Sequence, residues 1–195
     1  MGTISTFTHV SLDGCYAGPN GEIDWFKNTP SDPEFDAFNG EHAQSESTLL
    51  FGRTTYEMMQ SYWPTEEARK NDPEMARTMS DSPKIVFSKS LQRVDESPHW
   101  QDVELARDID ADALAKAKEV DDRNFTILGS GSIVQQLTDL GLIDAYQLVV
   151  NPVVLGHGKR LFAGVDQATL ALVENRAFKN GLVWLRYETK RGAKS

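Results

Sequence analysis

The stretch Phe125-Thr126-Ile127-Leu128-Gly129-Ser130-Gly131-Ser132-Ile133-Val134 decides the fold. Four residues of buried-strand character run into a turn of small residues. Apolar side chains then recur at Ile133, Val134, Leu137 and Leu140, one face of a helix that stops near Gly141. Gly129, Ser130 and Gly131 let a ligand approach the backbone closely. The helix behind them offers free N–H groups and the positive end of its dipole. That corner suits a phosphate or pyrophosphate; the same spacing also makes a plain tight turn. It is not the dinucleotide fingerprint G-x-G-x-x-G. Val134 stands where the last glycine belongs, no acidic residue closes a following strand, and too little chain follows for the second half of a doubly wound fold.

Two earlier stretches repeat the pattern. Thr48-Leu49-Leu50-Phe51 reads as a short buried strand and runs into Gly52-Arg53-Thr54-Thr55-Tyr56-Glu57. Thr54 and Glu57 have the spacing of a capping box, so a helix begins there beside the fixed positive charge of Arg53. Lys84-Ile85-Val86-Phe87 is the next strand and ends in Ser88-Lys89-Ser90, two hydroxyls flanking an ammonium. In parallel sheets ligands gather outside the carboxyl ends of the strands, so three such ends in one chain point to one anionic ligand.

The remaining segments complete an α/β domain. Thr3 to Leu12 alternates apolar and polar residues as a first strand. Tyr16 to Trp25 is rich in glycine and proline and reads as a lid or a surface loop, with the aromatic Trp25 at its end. Ser31-Asp32-Pro33-Glu34 has the form of a capping box, and Phe35, Phe38 and Ala43 give the helix after it an apolar stripe. Asp36 lies beside that stripe, at the margin of a cleft or on a solvated surface. Short helices are expected between Trp63 and Ser82, a strand over Val103 to Ala106 and a helix over Asp110 to Val120. A long strand runs from Ala145 to Val154, interrupted by Pro152. Thr169 to Val173 and Leu182 to Tyr187 are two strands joined around Lys179-Asn180-Gly181, a hairpin signal. The expected architecture is one domain over residues 1–195, a mainly parallel central sheet flanked by helices, with a C-terminal antiparallel hairpin.

Composition narrows the function. With 195 residues and a formal net charge of −9, the chain lacks the cationic surface that nucleic acid or an anionic membrane requires. No apolar run approaches the roughly 18 residues of a membrane span. Cys15 is the single cysteine, and no basic-then-apolar leader opens the chain, so a cytoplasmic setting is expected. His9, His42, His99 and His157 are scattered without metal-ligand spacing, so no metal is expected. There is neither a Walker sequence nor a G-x-S-x-G elbow.

With these pieces placed, the chain resembles the dihydrofolate reductase superfamily, closest to the branch of the riboflavin-biosynthesis reductase domain (the RibD C-terminal domain). The resemblance rests on Ser11-x-Asp13-Gly14, Gly52-Arg53-x-Thr55-Tyr56-Glu57, Phe87-Ser88-Lys89-Ser90-Leu91, Gly129-Ser130-Gly131-Ser132-Ile133 and Pro152-Val153-Val154-Leu155-Gly156-x-Gly158-Lys159-Arg160-Leu161-Phe162. It implies an NADPH-dependent oxidoreductase acting on a small heterocyclic or carbonyl/imine substrate, and a homodimer. Leu128 and Gly129 to Ile133 would wrap the pyrophosphate and the nicotinamide side, with a cis peptide between Gly129 and Ser130. Gly52, Arg53, Thr54 and Thr55 would meet the phosphates, and Ser88, Lys89 and Ser90 the adenosine 2′-phosphate. His9, Val10 and Ala17 would contact the nicotinamide under a mobile loop from Gly14 to Trp25. Trp25, Lys159 and Arg160 would face the substrate, and Asp36 would be the catalytic carboxyl, with Asp32 and Glu34 the alternatives. Val149 stands where dihydrofolate reductases place a threonine, which argues against folate. The alternative function is an NADPH-binding or sensor module without turnover; a plain scaffold would bind no nucleotide at all.

Overall fold

The computed structural model describes residues 1–43 and 46–190, the side chains of His42 and Ala43 excepted, so the proposed place of Ala43 in the helix stripe lies outside what is described. The strands are β1 (Ile4–Ser11), β2 (Cys15–Ala17), β3 (Thr48–Gly52), β4 (Lys84–Phe87), β5 (Val103–Ala106), β6 (Phe125–Leu128), β7 (Ala145–Asn151), β8 (Lys159–Arg160), β9 (Leu170–Ala177) and β10 (Val183–Thr189). The helices are α1 (Asp24–Lys27), α2 (Pro33–Ala43), α3 (Arg53–Tyr62), α4 (Glu66–Asn71), α5 (Pro73–Asp81), α6 (Ala111–Val120) and α7 (Gly131–Asp139).

Eight strands form one sheet in the order β5-β4-β3-β6-β1-β7-β10-β9. Every pairing from β5 to β7 is parallel, and β10 runs antiparallel to both β7 and β9. The central strand β3 is buried along Thr48–Phe51 because helices cover both faces of a parallel sheet. One face packs Ile4, Val10, Leu50 and Ile127 against Val134 and Leu137 of α7. Leu49, Phe51 and Val86 pack with Tyr56, Met79 and Trp100, and Phe38 of α2 joins Val149, Phe178 and Trp184. No helix among the described residues is long and apolar enough to cross a membrane.

Two charged side chains tie the layers. Lys118 of α6 reaches Asp144 at 3.0 Å, and Asp144 also accepts from the Ile4 amide at 2.9 Å. Lys84 is fully buried; its ammonium donates to the carbonyls of Ser80, Ser82 and Gln101 and lies 4.5 Å from the centre of the Trp100 ring. Burial lowers its pKa to about 8.

Three local expectations are corrected. Ser31 does not cap α2: Asp32 does, its Oδ1 accepting from the Glu34 amide at 2.9 Å while Oδ2 accepts from the Asn180 amide at 3.2 Å. Asp32 therefore caps the helix with one carboxylate oxygen and ties it to the C-terminal hairpin with the other. Thr54 does not cap α3, whose N-cap is Gly52 with no side-chain bond, and Glu57 turns to Arg53 instead. The segment Tyr16–Trp25 is not all loop: β2 pairs with β8, Cys15 opposite Arg160 and Ala17 opposite Lys159, and α1 closes it.

Candidate functional site

The parallel strands β3, β4 and β6 deliver their C-terminal ends to one edge of the sheet, where α3 and α7 begin. Gly129 makes the bend after β6 with φ of 60°, a left-handed conformation that glycine adopts without strain. The Gly129–Ser130 peptide, expected to be cis, is trans, as is every peptide bond among the described residues; the positive φ at Gly129 supplies the turn. Gly52 donates its amide to Ser130 Oγ at 2.9 Å, so the two strand-to-helix corners are bonded to each other. Neither α3 nor α7 has a side chain capping its first turn, and the residues that open both helices line the groove between them.

That groove measures about 400 Å³. It brings together most of the residues expected from sequence to hold a cofactor: Ala17, Gly52, Arg53, Thr54, Thr55, Ser88, Lys89, Gly129, Ser130, Gly131, Ser132 and Ile133, with Lys159 at one end. Room is tight at one of its glycines: a Cβ on Gly131 would fall 2.3 Å from the Tyr16 ring, whereas one on Gly52 would make ordinary contact, 3.5 Å from Ser132 Oγ and Ile133.

One end is cationic in a protein of net negative charge. Arg53 bonds Glu57 through Nε at 2.8 Å and donates from Nη1 to Ser90 Oγ at 3.0 Å, so Ser90 braces the arginine rather than lining the groove. Lys89 pairs with Asp108 at 2.8 Å, and the hydrogen bond and charge of that carboxylate raise its pKa. Arg107 donates to the carbonyls of Ser88, Leu91 and Gln92 and so fixes the Ser88–Gln92 turn. Arg107, Asp108 and Ile109 line the groove and were not singled out from sequence, although they follow β5 as the other site segments follow their strands. Tyr16, Ile23, Met58, Phe87 and Gln136 were also missed; the first two required the path of the 16–25 segment.

The opposite end is framed by two of the sequence motifs in contact. The Asp13 carboxylate accepts from Ser11 Oγ at 2.7 Å and from the amides of Leu155 and Gly156 at 3.0 and 2.9 Å, which hold its pKa down at about 2. Leu161 donates its amide to the Gly14 carbonyl at 3.0 Å. A Cβ on Gly158 would meet the Ala17 carbonyl at 2.6 Å. Ser11-x-Asp13-Gly14 thus clamps the 155–161 segment and sets Ala17 and Lys159 beside the groove.

The other expected site residues lie elsewhere. Val10 is buried in the core, and Leu128 is half-buried against the cluster of Phe51 and Trp100. His9 stacks on Phe26, with ring centres 4.7 Å apart and 22° between planes, and burial pushes its pKa down to about 4, so it is neutral at pH 7. Trp25 stands edge-on to Phe26, and Arg160 is exposed on β8. Asp36 is exposed on α2 and accepts from Ser31 Oγ at 2.8 Å. Asp32 caps the helix, and Glu34 pairs with Arg176 at 2.7 Å, so none of the three candidate acids lines the groove. No group of three or more metal-ligating side chains occurs among the described residues.

The groove thus lies where three parallel strands end and two helices begin. The family of the RibD C-terminal domain matches residues 3–184. The chain belongs to the RibD C-terminal domain family. Within reach of that family it is 30% identical over 179 residues to the uncharacterized protein YyaP of Bacillus subtilis, across 91% of this chain and 90% of that one. It is 28% identical over 160 residues to YwjB of the same organism, also uncharacterized, across 82% of each. Among solved structures, a Shewanella sp. PV-4 protein proposed to act in riboflavin biosynthesis shares the fold with a TM-score of 0.74 and 23% identity, across 97% of this chain and 99% of that one. The Thermotoga maritima diaminohydroxyphosphoribosylaminopyrimidine deaminase/5-amino-6-(5-phosphoribosylamino)uracil reductase shares it with a TM-score of 0.64 and 16% identity, across 97% of this chain and 57% of that one.

Proposed function

We propose that the groove holds NADPH and that the protein is a reductase of a small organic acceptor. The observation that carries this is the Gly52–Ser130 bond, which fixes two helix N-termini side by side, with Arg53 and Lys89 flanking them. The residues fit the cofactor. The Ser132 amide and hydroxyl, the Thr54 and Thr55 hydroxyls and the Arg53 guanidinium would face a pyrophosphate, while Gly129 and Gly131 leave room for it. Lys89 and Arg53 supply the positive charge, and Ser88 a hydroxyl, that a 2′-phosphate needs and a bare ribose does not. Ala17, Tyr16 and Ile23 offer an apolar end for the nicotinamide.

When bound, the cofactor supplies a hydride equivalent, and the chain's task is to orient the two reactants and exclude water. The Asp13 clamp holds Ala17 in place for that task. Asp36 is exposed and engaged by Ser31, so the proton of the reaction is drawn from water rather than from this carboxylate. Titration with NADPH and with NADH, read by tryptophan fluorescence, tests the assignment: NADPH binds more tightly by about tenfold or more, and the preference is lost in Arg53→Ala and Lys89→Ala. Equal affinity for both nucleotides, or none for either, overturns it. The placing of all three candidate acids outside the groove favours a second reading, an NADPH-responsive module without turnover. Steady-state NADPH oxidation with pterins, flavin precursors and small carbonyls separates the two.

A further inference from the structure

Four cations line the groove: Arg53, Lys89, Arg107 and Lys159. Arg53 and Lys89 are each bonded to a carboxylate, that of Glu57 and that of Asp108, both at 2.8 Å. Lys159 stands at the far end, opposite Ala17 in the β2–β8 ribbon, and its charge acts on Glu22. Arg107 differs. It is exposed, and its bonds run to the uncharged carbonyls of Ser88, Leu91 and Gln92. Among the described residues no carboxylate bonds it and its Nε–H has no acceptor. A guanidinium carries five N–H donors, so part of the fork and the whole of the charge remain for a ligand.

The strand order places it. Along the groove the strand ends follow as β6, β3, β4 and β5. Neighbouring strands lie about 5 Å apart, so the end of β5 stands about 10 Å beyond Gly52. The corner where Gly52 bonds Ser130 is the seat read above for a pyrophosphate. Ser88 and Arg107 lie further along the same edge, in the direction of the next ribose, with the apolar Ile109 beside them. Ser88 Oγ accepts from the Leu91 amide at 3.0 Å, which leaves its O–H to donate.

We infer that Arg107 is the specificity-determining residue for a 2′-phosphorylated adenosine: its guanidinium meets the 2′-phosphate together with the Ser88 hydroxyl, while Lys89 balances Asp108. This rests on the reading of the groove as an NADPH site. The run Ser88-Lys89-Ser90 points to Lys89 instead, but a phosphate that reaches for Lys89 also meets the carboxylate bonded to it. Repulsion from that carboxylate cancels much of the attraction. Arg107 brings no such partner, and its open N–H groups reach a phosphate without giving up the carbonyl bonds that hold the Ser88–Gln92 turn. Removing Lys89 alone still costs the preference, because Asp108 is then unbalanced beside the phosphate. Removing Lys89 and Asp108 together does not.

Calorimetric titration with adenosine 2′,5′-bisphosphate and with 5′-AMP tests this, since the two differ by the 2′-phosphate alone. The parent should favour the bisphosphate by about tenfold or more. In Arg107→Gln, which can still donate to a carbonyl of the turn, the two ligands should bind within about threefold of each other, through loss of the bisphosphate with 5′-AMP held level. Arg107→Lys keeps the charge and should keep most of the preference. The double variant Lys89→Ala/Asp108→Ala should keep it within about threefold. An Arg107→Gln variant that retains the preference, or that loses both ligands alike because the turn has collapsed, overturns the inference, as does a double variant that has no preference. NADPH affinity of the parent is measured first. A parent that binds no NADPH fails the cofactor reading itself, whereas NADPH binding without the Arg107 effect fails this inference alone.

Discussion

The amide of Gly52 and the hydroxyl of Ser130, 78 residues apart in the chain, meet at 2.9 Å and weld the starts of α3 and α7 into one anion-facing edge. Ser132 Oγ and Ile133 stand 3.5 Å from where a Gly52 Cβ would be, ordinary contact distance, so the bond is made by the backbone amide and not by the lack of a side chain. Ser130→Ala leaves the half-buried Gly52 amide without its acceptor. We expect a loss of about 1–3 kcal/mol in stability by urea unfolding, together with weaker NADPH binding. Unchanged stability and affinity would show the two corners to be independent.

Lys89 is matched by Asp108, so the charge available to a 2′-phosphate is partly cancelled before the nucleotide arrives. Asp108→Asn releases it. NADPH affinity should rise by about threefold to tenfold while NADH affinity stays level, and the gain should shrink at high salt because both side chains are exposed.

His9 gives the fold an acid limit. Its folded pKa of about 4 lies below the ordinary 6.5, so the unfolded chain binds the proton first as pH falls. Stability is full above pH 6.5 and declines between 6.5 and 4, by roughly 3 kcal/mol in total. Chemical unfolding of the parent and of His9→Gln across that range measures it; parallel curves would mean that the imidazole is not buried as a neutral ring.

Asp13 titrates lower still. Its carboxylate holds a pKa of about 2 through Ser11 and two backbone amides, against an ordinary 3.8. Stability from the clamp is present above pH 3.8 and is lost as pH falls through 2. Thermal melts of Asp13→Asn should show a lower midpoint at pH 7 and a flatter acid limb than the parent. The same variant should raise the KM for NADPH, because the clamp places Ala17 and Lys159 beside the groove.

Asp36 offers a direct check on the source of the proton. Exposed and bonded to Ser31, it should be replaceable by Asn with turnover changed less than about twofold. A collapse of turnover with cofactor affinity intact would restore it as the acid.

Much of this architecture was readable in the residues. Ile133, Val134 and Leu137 follow Gly131 at helical spacing and are buried as that spacing requires, and Asn180-Gly181 turns the C-terminal hairpin. The strand ends at Gly52, Ser88 and Gly129 converge on one groove. What escaped was set by tertiary contact. The β2–β8 ribbon has three residues against two, too short for any alternation, and joins segments far apart in the chain. The caps of α2 and α3 differ from the sequence reading because Asp32 also serves the distant hairpin and Glu57 bonds Arg53 instead of closing a box with Thr54. Arg107 and Asp108 sit at the end of β5 and were open to the same strand-end logic that found Lys89. The stack of Phe26 on His9 has no local signature, since neither residue lies on a periodic face that includes the other.

The central claim is that separate strand ends hold one nucleotide at one site. Amide chemical shifts recorded by NMR during an NADPH titration test it most directly. Gly52–Thr55, Ser88–Ser90 and Gly129–Ile133 should all shift with a single saturation midpoint, and 2′-phosphoadenosine alone should move the Ser88–Ser90 group and Arg53 with little change at Gly129–Ile133. Shifts confined to one segment, or different midpoints for different segments, would contradict it.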